Sequence, residues 1–325
     1  STNTVEHNLN DEPLRTLNSA PDSGDVPSQV VLPPTDMRAL QETSNSPATQ
    51  LYVALSLKLL AEDDKISKKI ASTSAVHSLL VLIHVSALNV RYNAMQALGF
   101  LSENDETYDI LIDHLDRLLQ SAETDFNIRD CLARILANLI NSNNSTNEKH
   151  RTRLKASKKI LSVIMILGQD KSGSKDLKSH SMRALAGYLE ILMDQLQEQN
   201  TDGKIGGDGD VLSRDVFLNV LDIVAESLQS DHENVRYEGY KALSKLSRVP
   251  KHHARIVSKV GRFLISSNLK ASESNETMKY INQTLYELEF DPSSDIKLCQ
   301  YDSSLFEHWF MIKKRLKVQD RVEKS

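Results

Sequence analysis

NVRYNAMQALGFLS, residues 89–102, returns as NVRYEGYKALSKLS at residues 234–247, with Asn, Val, Arg, Tyr, Ala, Leu, Leu and Ser in the same places. Self-similarity at a fixed phase is what a solenoid writes into its sequence, because each unit buries its apolar face only against its neighbours and so needs the same face. Within the first copy the apolar residues are Val90, Ala94, Ala97, Leu98 and Leu101. That spacing is one buried stripe of an α-helix and excludes a strand.

Weaker copies appear when Ala97, Leu98 and Leu101 serve as a ruler. Residues 127–139, NIRDCLARILANL, put Ile135, Leu136 and Leu139 on the ruler, with Asn127, Ile128 and Arg129 in the place of Asn89, Val90 and Arg91. Residues 176–188 keep Met182, Ala184 and Leu185, with Lys178 at the arginine position. Fainter copies carry Leu57 and Leu60 near one end and Leu285 and Leu288 near the other. Units therefore begin at about residues 48, 89, 127, 176, 234 and 276, and the longer steps contain polar segments. Most steps are near forty residues, the length of a two- or three-helix unit. A second apolar helix, from Ala75 through Leu79, Leu80, Leu82 and Ile83, precedes the best copy. Small residues such as Ala94, Ala97, Gly99, Ala133, Ala137, Ala184 and Ala186 let neighbouring helices come close.

The order of apolar helix, short polar turn, N-V-R and then A-L-x-x-L resembles armadillo repeats over roughly residues 48–290. The resemblance implies an all-α, right-handed armadillo/HEAT-like superhelical solenoid of about six repeats whose concave helix layer binds peptides or partner domains. Importin- and catenin-type members carry an asparagine ladder in this helix. Here the ladder positions hold Phe100, Asn138, Gly187, Lys245 and Glu287, so only Asn138 is kept. A broad protein-on-protein contact is the expectation.

Composition agrees with this class. The chain has 325 residues, 40% hydrophobic but only 5% aromatic, as cores packed from Leu and Ala require. No apolar run reaches the length of a membrane span. Cys131 and Cys299 lie several repeats apart, which argues against a disulfide and for a reducing compartment, with the cytoplasm, and also the nucleus, as the expected location. Sequons at Asn143, Asn144, Asn275 and Asn282 are expected by chance in so Asn- and Ser-rich a chain.

Three domains are expected. Residues 1–47 hold six of the eight prolines and read as a disordered Pro/Ser-rich arm, with Val30, Val31 and Leu32 as a short apolar plug. Residues 48–290 form the repeat domain, with insertions near 141–148 and 196–212. Residues 291–325 begin at a Pro292 break and contain Leu305, Trp309, Ile312 and Leu316 at helical spacing beside Lys313, Lys314, Arg315 and Lys317. This segment reads as a capping or basic amphipathic helix that can contact a membrane surface or a partner helix.

Charge is unevenly placed. Residues 149–183 contain ten Lys and Arg against Asp170 and Asp176, in a chain of net charge −5. Leu154, Leu161 and Ile164 are expected on the buried stripe of one helix there, which turns the lysines to solvent and offers a field for an acidic partner. Nucleic acid is disfavoured, since no aromatic residues interleave with these charges. The expected partner-binding residues are Arg91, Arg129, Asn138, Lys149, Arg151, Arg153, Lys155, Lys158, Lys159, Lys178 and Arg236.

Catalytic patterns are lacking. The loop around Gly203, Gly206, Gly207 and Gly209 has no Gly-Lys-Ser/Thr, and a calcium loop from Asp202 would need Glu where Ser213 stands. His252 and His253 have no i+4 companion, and Cys131 sits in a packed helix. The sequence therefore reads as a non-enzyme with no cofactor or metal site: a protein-binding scaffold or adaptor, or by architecture an Hsp70 nucleotide-exchange cochaperone, or a nucleic-acid-binding repeat.

Overall fold

The computed structural model describes residues 46–71, 74–124, 128–142, 148–157, 159–171, 173–201, 212–270 and 273–289. The arm, the apolar plug at Val30–Leu32, the glycine loop and the basic C-terminal segment lie outside the described residues. All regular structure within them is helical.

Six helices carry the repeat: α1 (Pro47–Ala61), α4 (Leu88–Leu101), α7 (Arg129–Asn141), α10 (Lys175–Thr201), α12 (Glu233–Leu246) and α14 (Asn275–Glu289). Each begins within two residues of a unit start read from the sequence, and each packs along the next to make one continuous layer. Behind them stands a second layer of α3 (Ala75–Leu82), α6 (Leu115–Thr124), α9 (Lys159–Gly168), α11 (Arg214–Ser227) and α13 (His253–Lys270). Short helices α2 (Asp64–Ala71), α5 (Tyr108–Asp113) and α8 (Glu148–Ala156) complete the three units that end in α4, α7 and α10. This is an armadillo-like repeat architecture.

The stripe is the core. Val90, Ala94, Ala97, Leu98 and Leu101 are all buried, as are Ile135, Leu136, Leu139, Met182, Leu185, Leu285 and Leu288. Helix starts follow local chemistry. Ser46 caps α1, its Oγ accepting from Thr49 N–H at 3.2 Å, and Pro47 opens the helix instead of closing the arm, its missing N–H costing nothing there. Ser213 likewise accepts from Val216 N–H ahead of α11.

Three expectations are corrected. The first faint copy is out of phase: Leu60 is 43% exposed, whereas Ala54 and Ala61 are buried. Among the described residues no second-layer helix precedes α1, so the position buried elsewhere is open here. The basic segment is two helices, α8 and α9, with a break at Ser157. Leu154 and Ile164 are both buried, but six residues separate Leu154 from Ile160, the first buried residue of α9, and one straight helix cannot face both inward. Finally, α10 continues to Thr201, so helix occupies the first part of the segment expected as a loop from 196.

Candidate protein-binding surface

In two of the copies the repeated arginine ties one unit to the next. Arg129, at the start of α7, donates Nη1 to Asp170 Oδ2 at 3.2 Å, in the loop ahead of α10. Arg236, at the start of α12, donates Nε to Glu273 Oε1 at 2.9 Å, in the loop ahead of α14. Asp170 and Glu273 are nearly buried, at 5% and 7% side-chain exposure. Such carboxylates need their cations, because an unpaired buried charge is strongly destabilising. Lys178 holds Glu226 at 3.9 Å, and Arg91 is half-buried at the start of α4.

The basic segment is similarly engaged. Arg151 pairs with Asp194 at 2.5 Å and Arg153 pairs with Asp113, so part of its field is neutralised within the chain. Lys155 is half-buried, and Lys159 is exposed at an outer cleft beside Asp113, Asp116 and Arg153. The side chains of Lys149 and Lys158 lie outside the described residues. Asn138 is buried, its Nδ2 donating to Ser102 Oγ at 2.9 Å.

The helix layer presents a different set of side chains on the face turned away from the second layer. Successive units place Gln96, Arg134, Arg183 and Lys241 at one equivalent position. One turn later stand Phe100, Asn138, Gly187 and Lys245, and then Glu103, Asn141, Glu190 and Arg248. Links cross this open face from helix to helix. Arg134 lies over the Phe100 ring at 4.4 Å and donates Nη2 to Glu103 at 2.6 Å. Asn141 Nδ2 donates to the Arg183 carbonyl at 3.2 Å, and a Cβ on Gly187 would come within 2.7 Å of Asn141 Oδ1 and of an Ile140 methyl, so any side chain there would have to push those two aside. Glu190 bridges Lys245 and Arg248; burial opposes its ionisation, but the two cations outweigh this and bring its pKa below the usual carboxylate range. Tyr237 and Tyr280 meet edge to face at 5.6 Å.

Two clefts open on this face. One, of 310 Å³, lies among Glu103, Asp105, Asn138, Asn141, Ser142 and Arg183. The other, of 130 Å³, lies among Gln96, Phe100, Asp130, Arg134, Asp176 and His180. Cys131 borders it as well, and burial above all, then Asp130, pushes its thiol up to about 12, which keeps it protonated and a poor nucleophile. His252 is stacked on Phe217 at 3.7 Å and His253 bonds the Ser247 carbonyl at 2.6 Å, both as packed core residues. Among the described residues no group of three or more His, Cys, Asp or Glu is placed to hold a metal ion, and no helix is long and apolar enough to cross a membrane.

Sequence reasoning pointed to Arg129 and Arg236 because they repeat, and it passed over Arg134, Arg183 and Lys241 because they do not. The signal was present: aligning the copies places these three at the position of Gln96.

Comparison with known proteins gives the fold. No protein family matches the sequence, and no curated protein does. Solved structures do match. A designed armadillo repeat protein, YIII(Dq)4CqI, superposes with a TM-score of 0.57 at 17% identity, covering 77% of this chain and 98% of its own. Computationally designed armadillo repeat proteins for modular peptide recognition give 0.58 at 16% identity, with 77% and 98% covered. A third designed armadillo repeat protein, solved in complex with the peptide (KR)4, gives 0.53 at 17% identity over the same shares.

Proposed function

We propose that this armadillo-like chain is a non-catalytic scaffold that holds a partner protein on the open face of α4, α7, α10 and α12. The observation that carries the reading is the contrast between the two kinds of position on these helices. Repeated residues, including Arg129 and Arg236, are spent on the core and on ties between units. Unrepeated residues gather on the open face, where they line both clefts. A surface with its own chemistry at every unit suits recognition of an extended partner, and the polar rims with one aromatic, Phe100, match the make-up of protein interfaces.

This moves the expected binding centre from the basic segment at 149–159 to Arg134, Arg183 and Lys241. Affinity capture from cell extract, comparing the native chain with a variant carrying Arg134→Glu, Arg183→Glu and Lys241→Glu, tests it. The native chain should retain a stable protein partner that the variant loses while its circular dichroism is unchanged. Equal capture by both, or recovery of RNA or DNA in place of protein, would remove this reading.

A further inference from the structure

The first described helix, α1, turns an apolar face to solvent. Among the described residues eleven large hydrophobic side chains are exposed, and six of them fall between residues 52 and 66: Tyr52, Val53, Leu55, Leu59, Leu60 and Ile66. Tyr52 is 69% and Leu59 57% exposed, and no charged residue stands between Pro47 and Leu57. Single exposed apolar residues are ordinary, but a group of them on one helix face marks a contact. The last described helix differs: α14 leaves Glu276 and Lys279 in solvent beside one large apolar side chain, Tyr286. A solenoid end that meets only water needs the polar face that α14 has and α1 lacks.

The order of residues along α1 selects the partner. Ser56, exposed and small, is at the centre of the face. Tyr52 and Val53 stand four and three residues before it, and Leu59 and Leu60 three and four after it. Three and four are the spacings of neighbours on a helix surface, so the face reads the same in both directions. A twofold axis through Ser56 therefore sets Tyr52 against Leu60 of a second copy and Val53 against its Leu59, bulky on bulky. The two small Ser56 side chains meet at the crossing, where they let the helix axes approach to about 8 Å. The charges agree with this antiparallel arrangement. Glu62, Asp63 and Asp64 follow Ser56 by six to eight residues, whereas the first turn of α1, as far before it, holds no acid. Antiparallel pairing brings these acids beside the first turn of the other copy, where free N–H groups and the helix dipole favour negative charge.

We infer that this face joins the chain to a second copy of itself, α1 crossing α1 antiparallel about Ser56. The contact is made by α1, not by the open face of α4, α7, α10 and α12, and each dimer carries two such open faces. A helix of 15 residues is about 22 Å long and about 10 Å across, so one such face buries less than the roughly 800 Å² per partner of a standard interface. Association is therefore micromolar or weaker and shows as a dependence of mass on concentration.

Sedimentation equilibrium of the full chain from about 1 µM to about 200 µM should show the mass rising from one chain toward two. Leu59→Glu, which places a charge on an exposed position, should hold the one-chain mass at the highest concentration with circular dichroism unchanged. Ser56→Cys reads the crossing itself. On mild oxidation it should form a dimer linked through that position, identified by the mass of the linked peptide, about tenfold faster than Lys279→Cys on α14. A one-chain mass at every concentration, as when residues 1–45 of the same chain cover the face, overturns the inference. So does a two-chain mass that persists in Leu59→Glu, or a Ser56→Cys linking rate no higher than that of Lys279→Cys.

Discussion

Helices α4 and α12 are written with the same eight residues, yet they meet the rest of the molecule differently. Their cores are interchangeable: Val90 and Val235, Ala97 and Ala242, Leu98 and Leu243, Leu101 and Leu246 are each buried to within 1%. Their open faces are not. Helix α4 and the turn after it carry Gln96, Phe100 and Glu103, and Phe100 seats Arg134 from the following unit. Helix α12 and the turn after it carry Lys241, a buried Lys245 and Arg248, and the last two hold Glu190 from the preceding unit. What repeats builds the solenoid, and what fails to repeat distinguishes one stretch of its surface from another.

The largest effects should be the shared ones. Leu98→Ala and Leu243→Ala should each lower stability by roughly 2 to 5 kcal/mol in urea unfolding, the usual cost of a core cavity. A difference greater than that range between the two would break the equivalence of the units.

The next effects should separate the helices. Gly239 stands in α12 where α4 has Ala94, and a Cβ there would lie 2.2 Å from Ser227 Oγ, 3.3 Å from Ser227 Cβ and 3.1 Å from a Leu228 methyl. Gly239→Ala should cost about 1 to 3 kcal/mol through overpacking. Removing the tie by Arg236→Ala should cost about 1 to 2 kcal/mol, reduced from the full buried-pair value because Arg236 is 22% exposed. In contrast, a Cβ on Gly99 meets nothing nearer than 3.6 Å, so Gly99→Ala should stabilise α4 by about 0.5 to 1 kcal/mol, which thermal melting would register.

The smallest effect concerns pH. Because Lys245 and Arg248 hold Glu190 below its ordinary range in the folded chain, its bridge contributes above the unfolded carboxylate value and is lost as pH falls through the folded one. Glu190 is 39% exposed, so the contribution should be under about 1 kcal/mol. Glu190→Gln should lower stability at pH 7 by less than about 1 kcal/mol and flatten the curve in the acid range, the two proteins converging once pH falls below the folded Glu190 range.

Much of the fold was legible because burial imposes a period. The stripe at Val90, Ala94, Leu98 and Leu101 had to reappear wherever a helix faced two neighbours, and it did. Legibility ended where neighbours changed. Leu60 obeys the ruler but among the described residues has no second-layer helix behind it, and the run from Lys149 to Gly168 changes helix at Ser157 without any glycine or proline to mark the break. The candidate surface was less legible still. Arg129 and Asp170 are 41 residues apart, so the tie that explains the repeated arginine cannot be seen locally. Arg183 and His180 carry no period at all, since nothing in the packing dictates a residue that faces outward.

Mass-spectrometric footprinting of lysines, on the chain alone and in complex with its captured partner, tests the central claim most directly. Lys241, on α12, is half-buried and pairs with Glu238 at 3.7 Å, and Lys159 is exposed at the outer cleft beside Asp113. The account predicts that the partner shields Lys241 from acetylation and leaves Lys159 as reactive as before. Shielding of Lys159 with Lys241 unaffected would contradict it and return the binding surface to the basic segment.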